Sequence, residues 1–500
     1  MRRAVMVWGA SSGAGKSLLV TALARWAARQ GLDVAPFKAQ NMSNNARVVP
    51  GLDGAPGEIG SAQYFQALAA RVVPHVDHNP VLLKPERDTA SQVVVHGRVD
   101  AALSRQPWRE RSAALAEAAR ASFERVASRH AVLVIEGAGS PAEINLAAED
   151  FVNLGTARWA RDRMADAGRA LTALLVADID RGGAFAHLHG TWALLPDDLR
   201  GALAGFVLNK FRGDAALLAP GPALLQAGTG VPLLGVLPMW REHGLPEEDG
   251  LLALPPASAA AKAEGPRIAV LAWPRISNHD EFQPLAGAGV LRWARTPADL
   301  DAVDLIVLPG SKQVSGDLAW LRAHGLDAAI ARHVAAGRPL LGICGGLQML
   351  GRVLDDPDGV DGEAHGPVRG LDLLPLATRH AAPKRLHAAP VRFGTLAAPW
   401  QALSGLAPPA YEIRTGRTQA LDDAAVPVIF DDQGEAIGWQ GRGARAHVLG
   451  LAAHGLFEHG PLLRAVCGQG ARTLDSVFDG LADFVEAHLG APTLRRLFGA

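Results

Sequence analysis

Cysteine is scarce in this chain: Cys344 and Cys467 are the two thiols among 500 residues. Two cysteines exclude a disulfide-stapled scaffold and point to a reducing compartment. An excess of either charge is also missing, since the formal net charge is -1. A nucleic-acid binder normally displays a basic face, so no nucleic acid is expected as a partner. Long hydrophobic runs are missing too. No stretch reaches the roughly 18 apolar residues that span a bilayer. The opening Met1-Arg-Arg-Ala-Val-Met-Val7 runs straight into a glycine-rich segment without a cleavage site, so no signal peptide is expected. These absences predict a cytoplasmic protein without a membrane partner. What is present, 49% hydrophobic and 20% charged residues, is the composition of a soluble globular chain. Its length exceeds what one hydrophobic core usually supports, so at least two domains are expected.

Short apolar runs at 4–8, 34–37, 131–135, 172–177, 205–208 and 233–237 alternate with longer amphipathic segments. Strands alternating with helices imply a parallel sheet covered on both faces. In the segment after the first run, Leu19, Leu23, Trp26 and Ala27 fall on one helical stripe, and Gly31 is placed to end the helix. Residues 254–265 are small residues and prolines with no large apolar anchor after Leu254, the composition of a linker. New strands are predicted at 267–273, 304–308 and 339–343, with 435–440 and 447–451 completing a second sheet. The tail from Leu474 to Phe498 has a helical pattern. The predicted organisation is therefore a first domain over 1–250, a linker over 251–265, a second domain over 266–462 and a helical tail over 463–500.

Two segments carry chemistry. Gly9-Ala-Ser-Ser-Gly-Ala-Gly15-Lys16-Ser17 follows a predicted strand and opens a predicted helix. Successive backbone N–H groups in such a turn suit polyphosphate. Gly9, Ser12 and Gly15 would form the nucleotide cradle, Lys16 would reach the β- and γ-phosphates, and the Ser17 hydroxyl would bind Mg²⁺. The strict pattern G-x-x-x-x-G-K-[ST] misses by one position, because Ala10 stands where its first glycine belongs. Glu136 ends the run 131–135 at the carboxyl edge where such sheets bind ligands, which makes it the candidate second metal ligand. Asp178 and Asp180 occupy the analogous place on another strand.

The second segment is Gly342-Ile-Cys344-Gly-Gly346, directly after an apolar run. A cysteine at a strand-to-helix elbow exposes its sulfur to a base and to the following helix N-terminus. Gly345 is a candidate oxyanion donor, and Gly310, at the end of another strand, is the candidate second donor. His454, which follows a strand in the same half, is the candidate base for Cys344. A lone buried cysteine is the bland alternative, and the glycines on both sides argue against it.

The ordered series of motifs resembles the cobyric acid synthase family. It comprises the 9–17 loop, Pro36-Phe-Lys-Ala-Gln-Asn-Met42, Gly57-Glu-Ile-Gly60, Asn79-Pro-Val-Leu-Leu-Lys-Pro85, Glu136-Gly-Ala-Gly-Ser-Pro-Ala-Glu143, Asp178-Ile-Asp-Arg-Gly-Gly183 and Asn209-Lys-Phe-Arg-Gly-Asp214 in the first half. The second half adds Pro274-Arg-Ile-Ser-Asn278, Leu308-Pro-Gly-Ser-Lys312, Asp317-Leu-Ala-Trp-Leu321, the cysteine elbow, Tyr411-Glu-Ile413 and His454-Gly-Leu-Phe457. The resemblance implies an α/β protein with an N-terminal P-loop domain similar to dethiobiotin synthetase and a C-terminal class I glutamine amidotransferase domain. It implies ATP and Mg²⁺ as cofactors and L-glutamine and a corrinoid carboxylate as substrates. The implied reaction amidates the b, d, e and g carboxylates of adenosylcobyrinic acid a,c-diamide, with ammonia passing along a shielded path. By analogy with the lysine-bearing loop of dethiobiotin synthetase, Lys38, Gln40 and Asn41 are candidates for acceptor or phosphate contacts.

In other class I glutaminases a glutamate two positions after the histidine orients the imidazole. Here that position is Leu456, a divergence shared by the cobyric acid branch, and Glu458 is the candidate nearest in sequence. Smaller departures are Ala10 and Gly13 in place of Thr and Asp, His78 in place of Met, and Ala410 and Arg414 flanking Tyr411-Glu-Ile413 in place of Gly and His. The nearest alternative is the sister enzyme acting on the a and c carboxylates. A partitioning or assembly ATPase of the same P-loop branch would have no use for a thiol elbow. A regulatory module with a relict glutaminase half would not need both Cys344 and His454.

Overall fold

The computed structural model describes residues 1–87, 90–246, 265–288, 290–362, 365–468 and 472–499. Apart from Gly265, the expected linker at 254–265 lies outside the described residues. The chain forms two units. The first takes residues 1–43, 49–245 and 474–500; the second takes 44–48 and 246–473.

In the first unit a six-stranded parallel sheet has the order Leu233–Pro238, Leu203–Phe211, Thr172–Asp178, Arg3–Gly9, Val132–Glu136, Val34–Phe37. Its strands read as near-continuous apolar runs because helices bury both faces. Alternation along Arg3–Gly9 sends Met6 and Trp8 into the core on one side, and Val5 and Val7 into the core on the other. The helix Lys16–Arg29 follows the first strand and buries the predicted stripe of Leu19, Leu23, Trp26 and Ala27. It ends at Gln30, and Gly31 takes the left-handed conformation (φ 75°) that glycine adopts without a Cβ clash.

The residues predicted as one tail divide between the units. Helix Gly460–Cys467 belongs to the second unit, whereas Leu474–Leu489 and Ala491–Phe498 belong to the first. Leu481, Val485 and Phe498 join the core beneath Lys16–Arg29, and Trp26 stacks on Phe498 with ring centroids 5.5 Å apart. The fully buried Arg25 donates to Asp475 at 2.7 Å and to Asp479 at 2.8 Å, while the Trp26 indole donates to Glu486 at 2.7 Å. Each buried large apolar side chain stabilises by about 1.5–3 kcal/mol, so this C-terminal segment is part of the first core.

The second unit is built on an eight-stranded sheet. Val290–Ala294, Arg267–Leu271, Leu305–Leu308, Leu340–Ile343 and Val448–Leu451 run parallel, then Ala436–Gly441, Ala425–Phe430 and Arg392–Phe393 continue antiparallel. The strands predicted at 267–273, 304–308, 339–343, 435–440 and 447–451 are all members of it. A second, four-stranded sheet contains the long pair Leu376–Pro390 and Pro409–Ala420. Among the described residues no helix is long and apolar enough to cross a membrane.

Candidate functional site

The glycine loop leaves the carboxyl end of the central strand Arg3–Gly9 and enters helix Lys16–Arg29 through Gly15 at φ 100°. The Lys16 ammonium folds back over the loop and donates to the carbonyls of Ser11 and Gly139, both at 3.0 Å. A Cβ on Gly9 would lie 2.8 Å from the Lys16 nitrogen, so glycine one position early still clears the lysine's path. Ser12 is exposed at the loop tip. Two residues outside the predicted set hold the loop from strand Leu203–Phe211, two places away in the sheet. Asn209 donates to the Ala14 carbonyl at 2.9 Å, and Lys210 donates to the Gly13 carbonyl at 2.8 Å. No local spacing relates them to the loop; only the strand order brings them there.

Ser17 and Glu136 come together as predicted. The Ser17 hydroxyl donates to Glu136 Oε1 at 2.8 Å, and the Lys38 ammonium reaches the same oxygen at 2.8 Å. Burial alone would raise the Glu136 pKa, but the Lys38 charge and hydrogen bonds from Lys38, Gln66 and Ser17 hold it below the usual carboxylate range. This is a set of hard oxygen donors that already attracts a cation, the Lys38 ammonium, and it fits Mg²⁺. Among the described residues no three His, Cys, Asp or Glu gather as a metal cage. Asp178 and Asp180 face cations instead: Lys210 lies 3.1 Å from Asp178, and Arg212 pairs with Asp180.

Of the candidate acceptor residues, Lys38 thus stands on Glu136. Gln40 and Asn41 lie in the short strand Gln40–Met42, paired in register with Val81 and Leu82. The described contacts do not bring these two onto Glu136.

The thiol centre is assembled at the carboxyl edge of the second sheet. Cys344 follows strand Leu340–Ile343 and caps helix Gly345–Leu350 with φ 50° and ψ -105°, a strained backbone for a residue with a Cβ. Its N–H donates to the Leu451 carbonyl at 2.8 Å. The glycines after it are needed for close approach. A Cβ on Gly345 would lie 2.7 Å from the Ser311 nitrogen, and one on Gly346 would collide with the Leu308 carbonyl. Gly310 packs beside the base, since a Cβ there would lie 3.0 Å from His454 Cε1. Both oxyanion candidates therefore border the centre.

His454 lies three residues past strand Val448–Leu451 and is hydrogen-bonded to Cys344. Its other ring nitrogen, Nδ1, is 2.8 Å from Glu281 Oε1, and Glu281 Oε2 accepts the Gly455 N–H at 2.9 Å. Glu281 is completely buried in the turn His279–Phe282. It is the third member of the centre, and this corrects the expectation that Glu458 fills that role. Glu458 turns instead to Arg47, 2.6 Å away. Sequence proximity misled because the carboxylate comes from a turn 173 residues upstream.

Burial disfavours the charged imidazole, yet the Glu281 carboxylate and the Cys344 sulfur, with their hydrogen bonds, push the His454 pKa up to about 10. Tyr411 stacks on His454 with centroids 5.4 Å apart, and the two residues exchange backbone hydrogen bonds of 2.8 and 3.2 Å. The arrangement brings a thiol, an imidazole and a carboxylate together in the buried interior, the groups that acyl transfer through sulfur requires.

Residues 5–249 match the CobQ/CobB/MinD/ParA nucleotide binding domain, and residues 267–462 match the CobB/CobQ-like glutamine amidotransferase domain. The cobyric acid synthase of Leptothrix cholodnii is 59% identical, with 99% of this chain and 97% of that protein aligned. That of Methylibium petroleiphilum is also 59% identical over 99% of this chain and 96% of its own length, and that of Variovorax paradoxus is 57% identical over 99% of both. The chain belongs to the cobyric acid synthase family and is a glutamine-hydrolysing carbon–nitrogen ligase with an N-terminal nucleotide-binding domain.

Proposed function

We propose that this enzyme performs the ATP- and glutamine-dependent amidation of the b, d, e and g carboxylates of adenosylcobyrinic acid a,c-diamide, giving adenosylcobyric acid in cobalamin biosynthesis. The observation that carries the reading is the coexistence, in one chain of this family, of the Cys344–His454–Glu281 centre and the Lys16–Ser17–Glu136 centre.

At the thiol centre the Cys344 sulfur attacks the side-chain carbonyl carbon of glutamine. The C–N bond breaks, His454 gives its proton to the departing nitrogen, and ammonia leaves a glutamyl thioester. The N–H of Gly345, with that of Gly310, stabilises the oxyanion. Water activated by His454 then cleaves the thioester to glutamate. Glu281 keeps Nδ1 engaged, so Nε2 faces the sulfur throughout.

At the nucleotide centre the acceptor carboxylate, ionised at neutral pH because its pKa is about 4, is inert to ammonia. Its oxygen attacks the γ-phosphorus of ATP, ADP departs, and an acyl phosphate forms. Ammonia then displaces phosphate to give the amide. Lys16 leaves its loop carbonyls to neutralise the transferring phosphoryl oxygens, while backbone N–H groups from Gly9 to Gly15 hold the chain of phosphates. Mg²⁺ held by Ser17 and Glu136 supplies further charge neutralisation on the phosphates when bound. Lys38, relieved of part of its pairing with Glu136, is the group to receive the acceptor or terminal phosphate. Gln40 and Asn41 continue that polar edge as acceptor contacts.

The test offers purified enzyme, glutamine and Mg-ATP with adenosylcobyrinic acid a,c-diamide or with cobyrinic acid, and counts amide additions by mass. Complete amidation of the a,c-diamide is expected. Additions to cobyrinic acid alone, stopping at its a and c carboxylates, would instead assign the sister reaction.

A further inference from the structure

The thiol centre is completed by a residue from outside the glutaminase stretch. Asn44–Val48, contributed by the N-terminal part of the chain, belongs to the second unit. Its attachment is reciprocal: the Ala46 N–H donates to the Asn278 side chain at 3.0 Å, and the His279 N–H donates to the Asn45 side chain at 3.0 Å. These bonds hold the start of the turn that presents Glu281. Between them Arg47 enters the interior and is 1% exposed.

Its guanidinium donates to Asp280 at 2.6 Å, to Glu458 at 2.6 Å and to the Tyr411 hydroxyl, and it lies over the Tyr411 ring 5.0 Å from the centroid. Tyr411 is the ring stacked on His454. Asp280 immediately precedes Glu281, and Glu458 follows His454 by one turn. Three carboxylates thus gather about Tyr411 in a buried setting, where like charges repel strongly. The fork of arginine answers two of them with one nitrogen and holds the tyrosine hydroxyl with another, which a lysine point charge cannot do. Glu281 is then left to His454. We propose that Arg47 is a positioning residue of the glutaminase centre: it pairs Asp280 and Glu458, seats Tyr411, and so fixes Glu281 and His454 in register with Cys344. The same stretch of chain runs back through Gln40–Met42 to Lys38 on Glu136, so the nucleotide-binding part of the sequence furnishes a component of the hydrolytic site.

This inference rests on the proposed glutamine-dependent amidation, and its test separates the two. Full-length wild type, Arg47→Met and Arg47→Lys are assayed with the a,c-diamide, using glutamine or ammonium as nitrogen source. Arg47→Met is expected to lower the glutamine-supported kcat by about a hundredfold, as misplacement of a catalytic group does. Its KM for glutamine should stay within about twofold, because the loss falls on the transition state. Ammonium-supported turnover should remain near wild type, and Arg47→Lys should recover part of the glutamine activity by restoring charge without the fork. A role in folding alone would lower both nitrogen sources together, and that parallel loss overturns the proposal. So does an unchanged glutamine kcat in Arg47→Met. Should Arg47→Met fail to fold, Arg47→Lys decides: a glutamine kcat equal to wild type overturns the proposal, whereas a selective fall supports it. Failure of the wild type to use glutamine would overturn the parent reading instead.

Discussion

The two centres of this enzyme are built to opposite plans. Around Cys344 the parts are buried and hold one another: His454 on Glu281, Tyr411 on Arg47, and the Cys344 N–H on Leu451. Around the glycine loop the charged groups rest on backbone carbonyls, Lys16 on Ser11 and Gly139 and Lys210 on Gly13, and the loop tip is exposed. Glutamine presents one small amide to a preorganised thiol, so rigidity serves catalysis. A polyphosphate brings its own charges, and a loop of dipoles with exchangeable lysines suits it. On the proposed reaction, the difference teaches that hydrolysis would depend on register, and activation on charge.

Breaking one plan at a time gives the largest effects. Cys344→Ala should abolish glutamine-supported amidation and leave ammonium-supported amidation, both followed by product mass; loss of both would mean that the centres do not divide the work. Lys16→Ala should stop amidation from either nitrogen source, and near-normal turnover would show that ATP does not use this loop.

Glu281→Gln sharpens the comparison, because it keeps the shape and removes one charge. The glutamine-supported rate should fall by about 10²–10⁴, the range for a misdirected general base. The pH profile carries a sign as well. Glu281 helps hold the His454 pKa at about 10, so wild-type activity, which needs the imidazolium proton for the leaving nitrogen, should decline as pH rises through that value. Without the carboxylate the imidazolium loses its proton sooner, and the alkaline limb should move to lower pH. An unshifted limb in glutamine kcat would contradict the assignment. The smallest expected effect on chemistry comes from Trp26→Ala. Removing the indole from between Phe498 and the Lys16–Arg29 helix should destabilise the first unit by about 3–5 kcal/mol in denaturant unfolding. Glutamine hydrolysis below the transition should change little.

What the sequence disclosed follows the range of the forces involved. Parallel strands buried on both faces leave apolar runs, and Val34–Phe37 and Leu340–Ile343 emerged where those runs stand. The glycine loop and the cysteine elbow were legible because each packs its requirements into a few consecutive residues. Glu281, Arg47, Asn209 and Lys210 were not, since their roles depend on which distant segments fold side by side. The C-terminal helices showed their own amphipathic period, but nothing local said that Arg25 and Trp26 would receive them.

The central claim is that the sulfur of Cys344 liberates the nitrogen that the nucleotide centre installs. The most direct measurement supplies glutamine labelled with ¹⁵N at its side-chain amide, together with an equal concentration of unlabelled ammonium, Mg-ATP and the a,c-diamide. Mass spectrometry of the product then reads the source of each added amide. The account predicts added amides that are mostly labelled for the wild type and unlabelled for Cys344→Ala. Mostly unlabelled amides from the wild type, or labelled ones from Cys344→Ala, would contradict it.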